Sequence, residues 1–369
     1  MQTVKILHLN GATLPEDGTV LRNHTRQPAR RTEHYTARFD RTTLYYDLVR
    51  HEGRERSLMT APPLDNLWPF LRDGITSKGN SIPLKRRQFQ KYEQIWLPDL
   101  PDLTLTINDQ SCRLIPRADI ARLFKDLNCS VTLNRDNDLD WIQSWARYHC
   151  RVHGLEGVLI FDNGSTTYSA STLAETLADV SPLRMIAVVS APFPYGTTDP
   201  VKRGERRENY LQPALLNLAR TDMLRHARAV LNVDIDEIVL SRNSESVFDR
   251  TVRSPFGLAR LPVYWAHPAP GVEGAALQSA HTYRNAPKLR TPRKWCVRPD
   301  HGLGRLSWHV HHVGGDIAKV IPEAQEHEVV HCFATTTNWR NGPRHRRREN
   351  LIHDPELEDL MHRYFDAPR

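Results

Sequence analysis

From Cys129 onward the chain alternates short apolar runs with amphipathic stretches, and few architectures accept that rhythm. Ser130-Val131-Thr132-Leu133, Gly157-Val158-Leu159-Ile160-Phe161, Arg184-Met185-Ile186-Ala187-Val188-Val189 and Ala229-Val230-Leu231-Asn232-Val233 read as strands. A run with almost no polar alternation, like 157–161, suits a strand buried on both faces. Between the first two runs, 139–152 carries Trp141, Ile142, Trp145 and Tyr148 at helical spacing, with Asp138 placed to cap it and Gly154 to end it. Two further helices are expected over 172–180 and 210–226. Repeated βα units predict a Rossmann-like, mostly parallel sheet wrapped by helices, with ligands at the carboxyl ends of the strands.

Before residue 128 the texture differs. Short alternating runs at 4–9, 43–49, 92–97 and 103–107, broken by turn-formers such as Pro98-Asp99-Leu100-Pro101, read as strands. The expected organisation is a strand-rich N-terminal domain over 1–127, an α/β domain over 128–345 and a helical C-terminal tail over 346–369. A length of 369 residues accommodates more than one unit, and 39% hydrophobic with 25% charged residues is an ordinary globular balance. No stretch approaches the roughly 20 apolar residues of a membrane span, and the first residues lack the apolar core of a secretory signal. A cytoplasmic protein is expected. The five cysteines are scattered, without CxxC pairs, and read as reduced thiols.

Polar residues gather where the strands end. Asn134 follows the first, Asp162-Asn163-Gly164-Ser165 the second, and Asp234-Ile235-Asp236-Glu237 the fourth. Two carboxylates one residue apart at a strand end can converge on one divalent cation. Mg²⁺ and Mn²⁺ are hard ions that share one or two carboxylates with substrate phosphates, and they offset charge on a diphosphate leaving group. Asp162-Asn163 suits hydrogen bonding to a nucleobase or ribose, although the same residues also serve an ordinary turn with Ser165 or Thr166 as a helix cap. Histidines cluster at Trp308-His309-Val310-His311-His312, His327 and His331. His-x-His on a strand points both rings to one face, so these could complete the aspartate site, form a separate zinc site from His309, His311, His331 or Cys332, or serve as core histidines.

The net charge of +7 is concentrated at 26–31, 85–87, 202–207 and 344–348. Such runs are usually solvated faces, but they also attract polyanions: a nucleotide, an anionic glycan, a membrane surface or nucleic acid. The aromatic–basic interleaving of single-strand readers and any finger or helix-turn-helix signature are missing, so no specific nucleic-acid partner is expected. No P-loop, GxGxxG or serine-triad context supports an NTPase, dehydrogenase or hydrolase.

The ordered set Asn134-Arg135-Asp136, Ser144-Trp145, Tyr148-His149, Gly154, Asp162-Asn163-Gly164-Ser165, Asp234-Ile235-Asp236-Glu237, Lys294-Trp295-Cys296-Val297-Arg298-Pro299, His309 and Val329-Val330-His331-Cys332-Phe333 resembles bacterial glycosyltransferases close to families 2 and 92. The resemblance spans about 130–340. It implies a GT-A fold and a Mn²⁺- or Mg²⁺-dependent transferase, a hexosyltransferase by class. The sugar would pass from a nucleotide-diphosphate sugar to a glycan or lipid-linked acceptor, in surface polysaccharide biosynthesis. Asn134, Asp162, Asn163 and Asp234 would bind the donor. Asp234, Asp236 and His309 would hold the metal, with His311 in reserve. Basic segments would touch phosphates or the inner face of a membrane.

The chain departs from that group at Ser144 and Arg135, where acidic residues are common, and in 278–284, which holds no carboxylate to act as an inverting base. Glu273 and His281 are the candidate bases, beside Asp236 in the catalytic set. Without a base the enzyme would be retaining or inactive. Two other readings stand beside this one: a noncatalytic polyanion or nucleic-acid binder, and a nucleotidyltransferase, which can share a metal-binding sheet edge.

Overall fold

The computed structural model describes residues 2–51, 53, 55–202, 206–337 and 350–366. The chain forms two compact units, one of Met1–Leu7, Ala121–Ser190 and Leu224–Arg369, the other of His8–Ile120 and Ala191–Met223. This division does not follow a single boundary at 127. The first strand joins the sheet of the α/β unit, and the 191–223 stretch belongs with the strand-rich unit. Specific side chains fasten that stretch: Arg26 makes a two-pronged ion pair to Glu208 at 2.9 and 2.8 Å, and Lys91 donates to Asn209 Oδ1.

The strand-rich unit contains a five-stranded sheet that includes Asp47–Arg50, Arg56–Ala61 and Glu93–Pro98, and a four-stranded one that includes Ile75–Ser77 and Leu103–Ile107. Leu48, Met59, Leu67, Ile95 and Leu105 fill its core. The strand expected over 43–49 is interrupted at Tyr46, and its halves pair in different sheets. Much of the basic excess is spent internally here. Buried Arg22 donates to three backbone carbonyls, and Arg86 grips Glu93 while lying over Trp68. Arg206 pairs with Asp65. The densest basic run, 344–348, lies outside the described residues.

The α/β unit is built on a nine-stranded sheet. Its strands are β1 (Thr3–His8), β2 (Asn128–Asn134), β3 (Gly157–Asp162), β4 (Met185–Ser190), β5 (Ala229–Asn232), β6 (Glu237–Ser241), β7 (Leu258–Ala266), β8 (Arg290–Val297) and β9 (His327–Cys332). They lie in the order β1-β4-β3-β2-β5-β8-β7-β9-β6. The run β4-β3-β2-β5 is wholly parallel, β8 is antiparallel to β5 and to β7, and β9 is parallel to β7. The strands in 157–161 and 185–189 are buried on both faces, as their unbroken apolar runs require.

Helix α1 (Leu139–His153) starts at Asp138, whose carboxylate accepts from Asp140 N–H, and stops at Gly154 in the left-handed region (φ 67°). With α2 (Ala170–Ala178), α3 (Val247–Arg253) and α4 (Pro355–Met361) it packs Ile142, Trp145, Leu173, Leu177, Phe248 and Leu357 in one core with Val158, Ile160, Ile186, Val188 and Leu231. Ser169, rather than Ser165 or Thr166, caps α2, because Ser165 is already bonded to Asp162. The helix expected over 210–226 is regular only over Leu211–Leu218 and widens into a π turn at Ala219–Met223. No helix among the described residues is long and apolar enough to cross a membrane.

Candidate functional site

Strand order fixes where a ligand could lie. From β2 the chain adds β3 and β4 on one side, then returns to place β5 on the other, so the order reverses between β2 and β5. In open α/β sheets the crevice outside the carboxyl ends at such a reversal takes the ligand. Asn134 ends β2, and β5 leads into Asp234. Val131 pairs with Asn232, and continuing that register brings Asn134 level with the Asp234-Ile235-Asp236 turn.

On the β2–β3 side, Asn134 and Asp162 are paired across the ladder and both are buried. Asn134 Nδ2 donates to Asp162 Oδ1 at 2.7 Å, to Ser165 Oγ at 3.3 Å and to Tyr168 Oη at 3.1 Å. Asp162 accepts from Ser165 N–H (3.0 Å) and from its hydroxyl (2.5 Å). Asn163 is also buried, its N–H donating to Asn134 O. Asp136, at φ 51°, accepts the backbone N–H groups of Thr166 (2.6 Å) and Thr167 (3.0 Å). Burial pushes that carboxyl up, but these hydrogen bonds outweigh it and hold it below the usual carboxylate range. The three predicted residues Asn134, Asp162 and Asn163 therefore come together, braced by Asp136, Ser165 and Tyr168.

On the β5 side, the acidic triplet occupies a tight turn. Glu237 N–H donates to Asp234 O (3.0 Å), and Asp234 N–H donates back to Glu237 Oε2 (2.9 Å). Gln278, fully buried, donates from Nε2 to Ile235 O and Trp141 O, both at 3.0 Å, fixing the centre of the turn to α1. Lys294 reaches in from β8, 1% exposed, with Nζ 3.0 Å from Asp234 Oδ2 and 2.8 Å from Glu237 Oε2. Burial works against its charge, but Asp234 and Glu237 raise its pKa above the ordinary lysine value, so it is an ammonium. His331 Nε2 lies 3.0 Å from Asp236 Oδ2, and its ring stacks on Trp265 with centroids 3.9 Å apart. Asp234 and Asp236 keep 19% and 13% of their side chains exposed, whereas Glu237 beside them is 2% exposed.

The histidine loop 309–312 is tethered to the same strand ends. Trp295 Nε1–H donates to His309 O (2.7 Å) and Asn232 Nδ2 donates to Val310 O (2.9 Å). The His309 ring stacks on His312. His311 is exposed, yet crowding by surrounding protein, then nearby Lys294, depresses its pKa to about 4, with Arg293 O and Asp234 pulling the other way.

Among the described residues no group of three or more His, Cys, Asp or Glu side chains is arranged to hold a metal ion. The set Asp234, Asp236 and His309 is thus not a preformed cage, since each aspartate already faces a basic group. The alternative zinc set also fails to assemble: His311 Nδ1 is 3.2 Å from Arg293 O, His331 faces Asp236, and buried Cys332 has its thiol pushed well up by burial.

The two candidate bases sit in different surroundings. His281 is fully buried, its Nδ1 against Leu277 O (2.9 Å) and its Nε2 accepting from Ala334 N–H (2.9 Å). Burial depresses its pKa to about 4, and with both nitrogens engaged it is a structural residue. Glu273 is exposed on a turn between Gly271 and Gly274, both at positive φ. Its loop leaves β7 at the edge where β5 and β9 also end, because β7 runs parallel to both. Sequence reasoning named Glu237 at the strand end and Lys294 in a motif without giving either a role, and it did not place Gln278 or Trp265 in the site. The apolar run Trp295-Cys296-Val297 directly after Lys294 was the available signal: a lysine in an otherwise buried stretch needs an anionic partner.

No family model matches the chain, and no curated protein does. Among solved structures the chain is similar to the mannosyltransferase Ktr4p from S. cerevisiae in complex with GDP, at 11% identity and a TM-score of 0.26. That alignment covers 42% of this chain and 45% of the other, so the chain spans less than half of the protein it matches. A TM-score that low carries no argument about function.

Proposed function

We propose that the α/β unit is a glycosyltransferase of GT-A type that moves a sugar from a nucleotide-diphosphate sugar to a glycan or lipid-linked acceptor. The observation carrying this reading is the meeting, at the strand-order reversal, of the Asn134–Asp162–Asn163 cluster with the Asp234–Asp236 turn. The first offers buried amide and carboxylate groups suited to a nucleoside. The second offers two partly exposed carboxylates suited to a cation shared with a diphosphate. The donor set fits Mn²⁺ or Mg²⁺ completed by substrate oxygens, with Asp236 and Asp234 as the protein ligands. Such an ion supplies charge stabilisation for a departing diphosphate.

The chain's own residues set the geometry. Gln278 and the reciprocal Asp234–Glu237 bonds hold the turn rigid, Lys294 orients Asp234, and His331 orients Asp236. Asn134 locks the Asp162 carboxylate toward Ser165. Glu273, on the exposed glycine turn that follows β7, is the acceptor-side base in this reading. The families 2 and 92 resemblance and a role in surface polysaccharide belong to this proposal.

A thermal-shift screen of nucleoside diphosphates with and without Mn²⁺ tests it. A metal-dependent rise in Tm of a few degrees is expected, on the order of 2 kcal/mol at saturating ligand. The rise should vanish in Asp236→Ala. No shift with any nucleotide would remove the transferase reading, as would a nucleotidyltransferase-like response confined to triphosphates.

A further inference from the structure

We propose that Lys294 is a fixed internal counter-ion that keeps the Asp234–Asp236 turn from taking a divalent cation alone, so that the cation enters together with a diphosphate. The proposal deepens the transferase reading and rests on it for the identity of the diphosphate.

Three carboxylates, Asp234, Asp236 and Glu237, lie within four consecutive residues. Such a cluster would ordinarily attract a hard cation from solution without help. Here an ammonium is already built in. Lys294 is 1% exposed and contacts Asp234 Oδ2 at 3.0 Å and Glu237 Oε2 at 2.8 Å. Glu237 is itself 2% exposed, and its Oε2 is shared with Asp234 N–H. A buried charge gains most from a partner it cannot exchange with water, and Lys294 is held by the strand it sits on, not by a flexible loop. A metal ion approaching Asp234 must therefore share that carboxylate with a positive charge that cannot move away.

A diphosphate changes this balance. It brings several negative charges and the oxygen ligands that the protein lacks, so cation and diphosphate offset each other beside Lys294. Lys294 is thus a positioning residue: it orients Asp234 and sets the charge that the site presents.

A purely structural lysine predicts the opposite sign on mutation. If Lys294 only braced the turn, removing it would loosen Asp234 and weaken any metal binding. If it acts as counter-ion, removing it strengthens binding of metal alone. Mn²⁺ is therefore titrated into the full chain without nucleotide, with free ion followed by electron paramagnetic resonance. Lys294→Met is expected to bind Mn²⁺ at least about tenfold more tightly than the unaltered chain, the lower range of coupling for a close charge pair. Glu237→Gln/Lys294→Met, which removes both buried charges and leaves neither orphaned, is expected to change in the same direction. Lys294→Arg should restore the weak binding.

Parent-like or weaker Mn²⁺ affinity in either folded variant overturns the proposal. So does finding that the unaltered chain binds Mn²⁺ equally tightly with and without a nucleoside diphosphate to which it binds. Tighter Mn²⁺ binding in the variants, with no nucleotide bound by the unaltered chain, would keep the counter-ion and discard the transferase reading.

Discussion

Gln278 shows how side chains that never meet solvent shape the candidate site. Its amide spans two carbonyls, one on α1 and one inside the acidic turn, and no shorter residue reaches both. Gln278→Ala should cost about 1–3 kcal/mol in urea denaturation, the usual penalty for unmade buried hydrogen bonds. It should also shrink the nucleotide-induced rise in Tm, because Ile235 O loses its anchor. His281 makes a similar point from the other direction. Its residue type and position suggested a base, but its two nitrogens are committed to Leu277 O and Ala334 N–H. His281→Gln should lower stability without adding or removing a limb in the pH profile of any activity. Residue identity alone could not separate these roles, since each residue has a hydrogen-bond partner more than 50 positions away, Trp141 O for Gln278 and Ala334 N–H for His281.

At the scale of elements, local chemistry explains why some boundaries were legible. Asp138 accepts an N–H of the first turn, and Gly154 supplies the left-handed residue that lets α1 stop, with N–H bonds back to Cys150 O and His149 O. Both signals lie within a few residues of the ends they set. Asp138→Ala and Gly154→Ala should each cost about 1 kcal/mol in urea denaturation. The two costs should add, because the residues cap opposite ends of the helix. A Cβ at Gly154 would meet Asn128 Nδ2 at 3.9 Å, an ordinary contact, so its cost is one of backbone conformation alone. Other elements were hidden for the same reason in reverse. The break at Tyr46 is set by two different partner sheets, and the π turn at Ala219–Met223 contains Asp222, which is paired to His51 more than 150 residues earlier.

At the scale of the whole molecule, buried histidines set the response to acid. His149, His153 and His281 are buried, and burial depresses their pKa values to about 4, 3 and 4 from 6.5. The unfolded chain therefore binds protons that the folded chain refuses, and stability falls as pH drops below about 6.5. At pH 5 each such histidine opposes folding by about 2 kcal/mol relative to neutral pH. Melting curves from pH 7.5 to 4.5 should show a steep loss of Tm over that window. His149→Phe, which removes a ring whose Nε2 has no hydrogen-bond partner among the described residues, should flatten it. A charge surplus of +7 gave no hint of this. Nor did it reveal that Arg22, Arg26 and Arg86 are held inside one unit by carbonyls and carboxylates.

The sequence alone determined the α/β rhythm after residue 128, the limits of α1, and the presence of polar residues at the carboxyl ends of β2, β3 and β5. Those features depend on periodicity and on neighbours in the chain, which a sequence displays directly. Tertiary structure alone decided which acidic residues are already paired, which histidines are consumed, and which unit owns 191–223. Each of those depends on long-range register: β8 delivers Lys294 to Asp234 from 60 positions away, and β9 delivers His331 to Asp236 from 95. Charge pairing in a buried crevice is a property of distance in space, and spacing along the chain does not encode it.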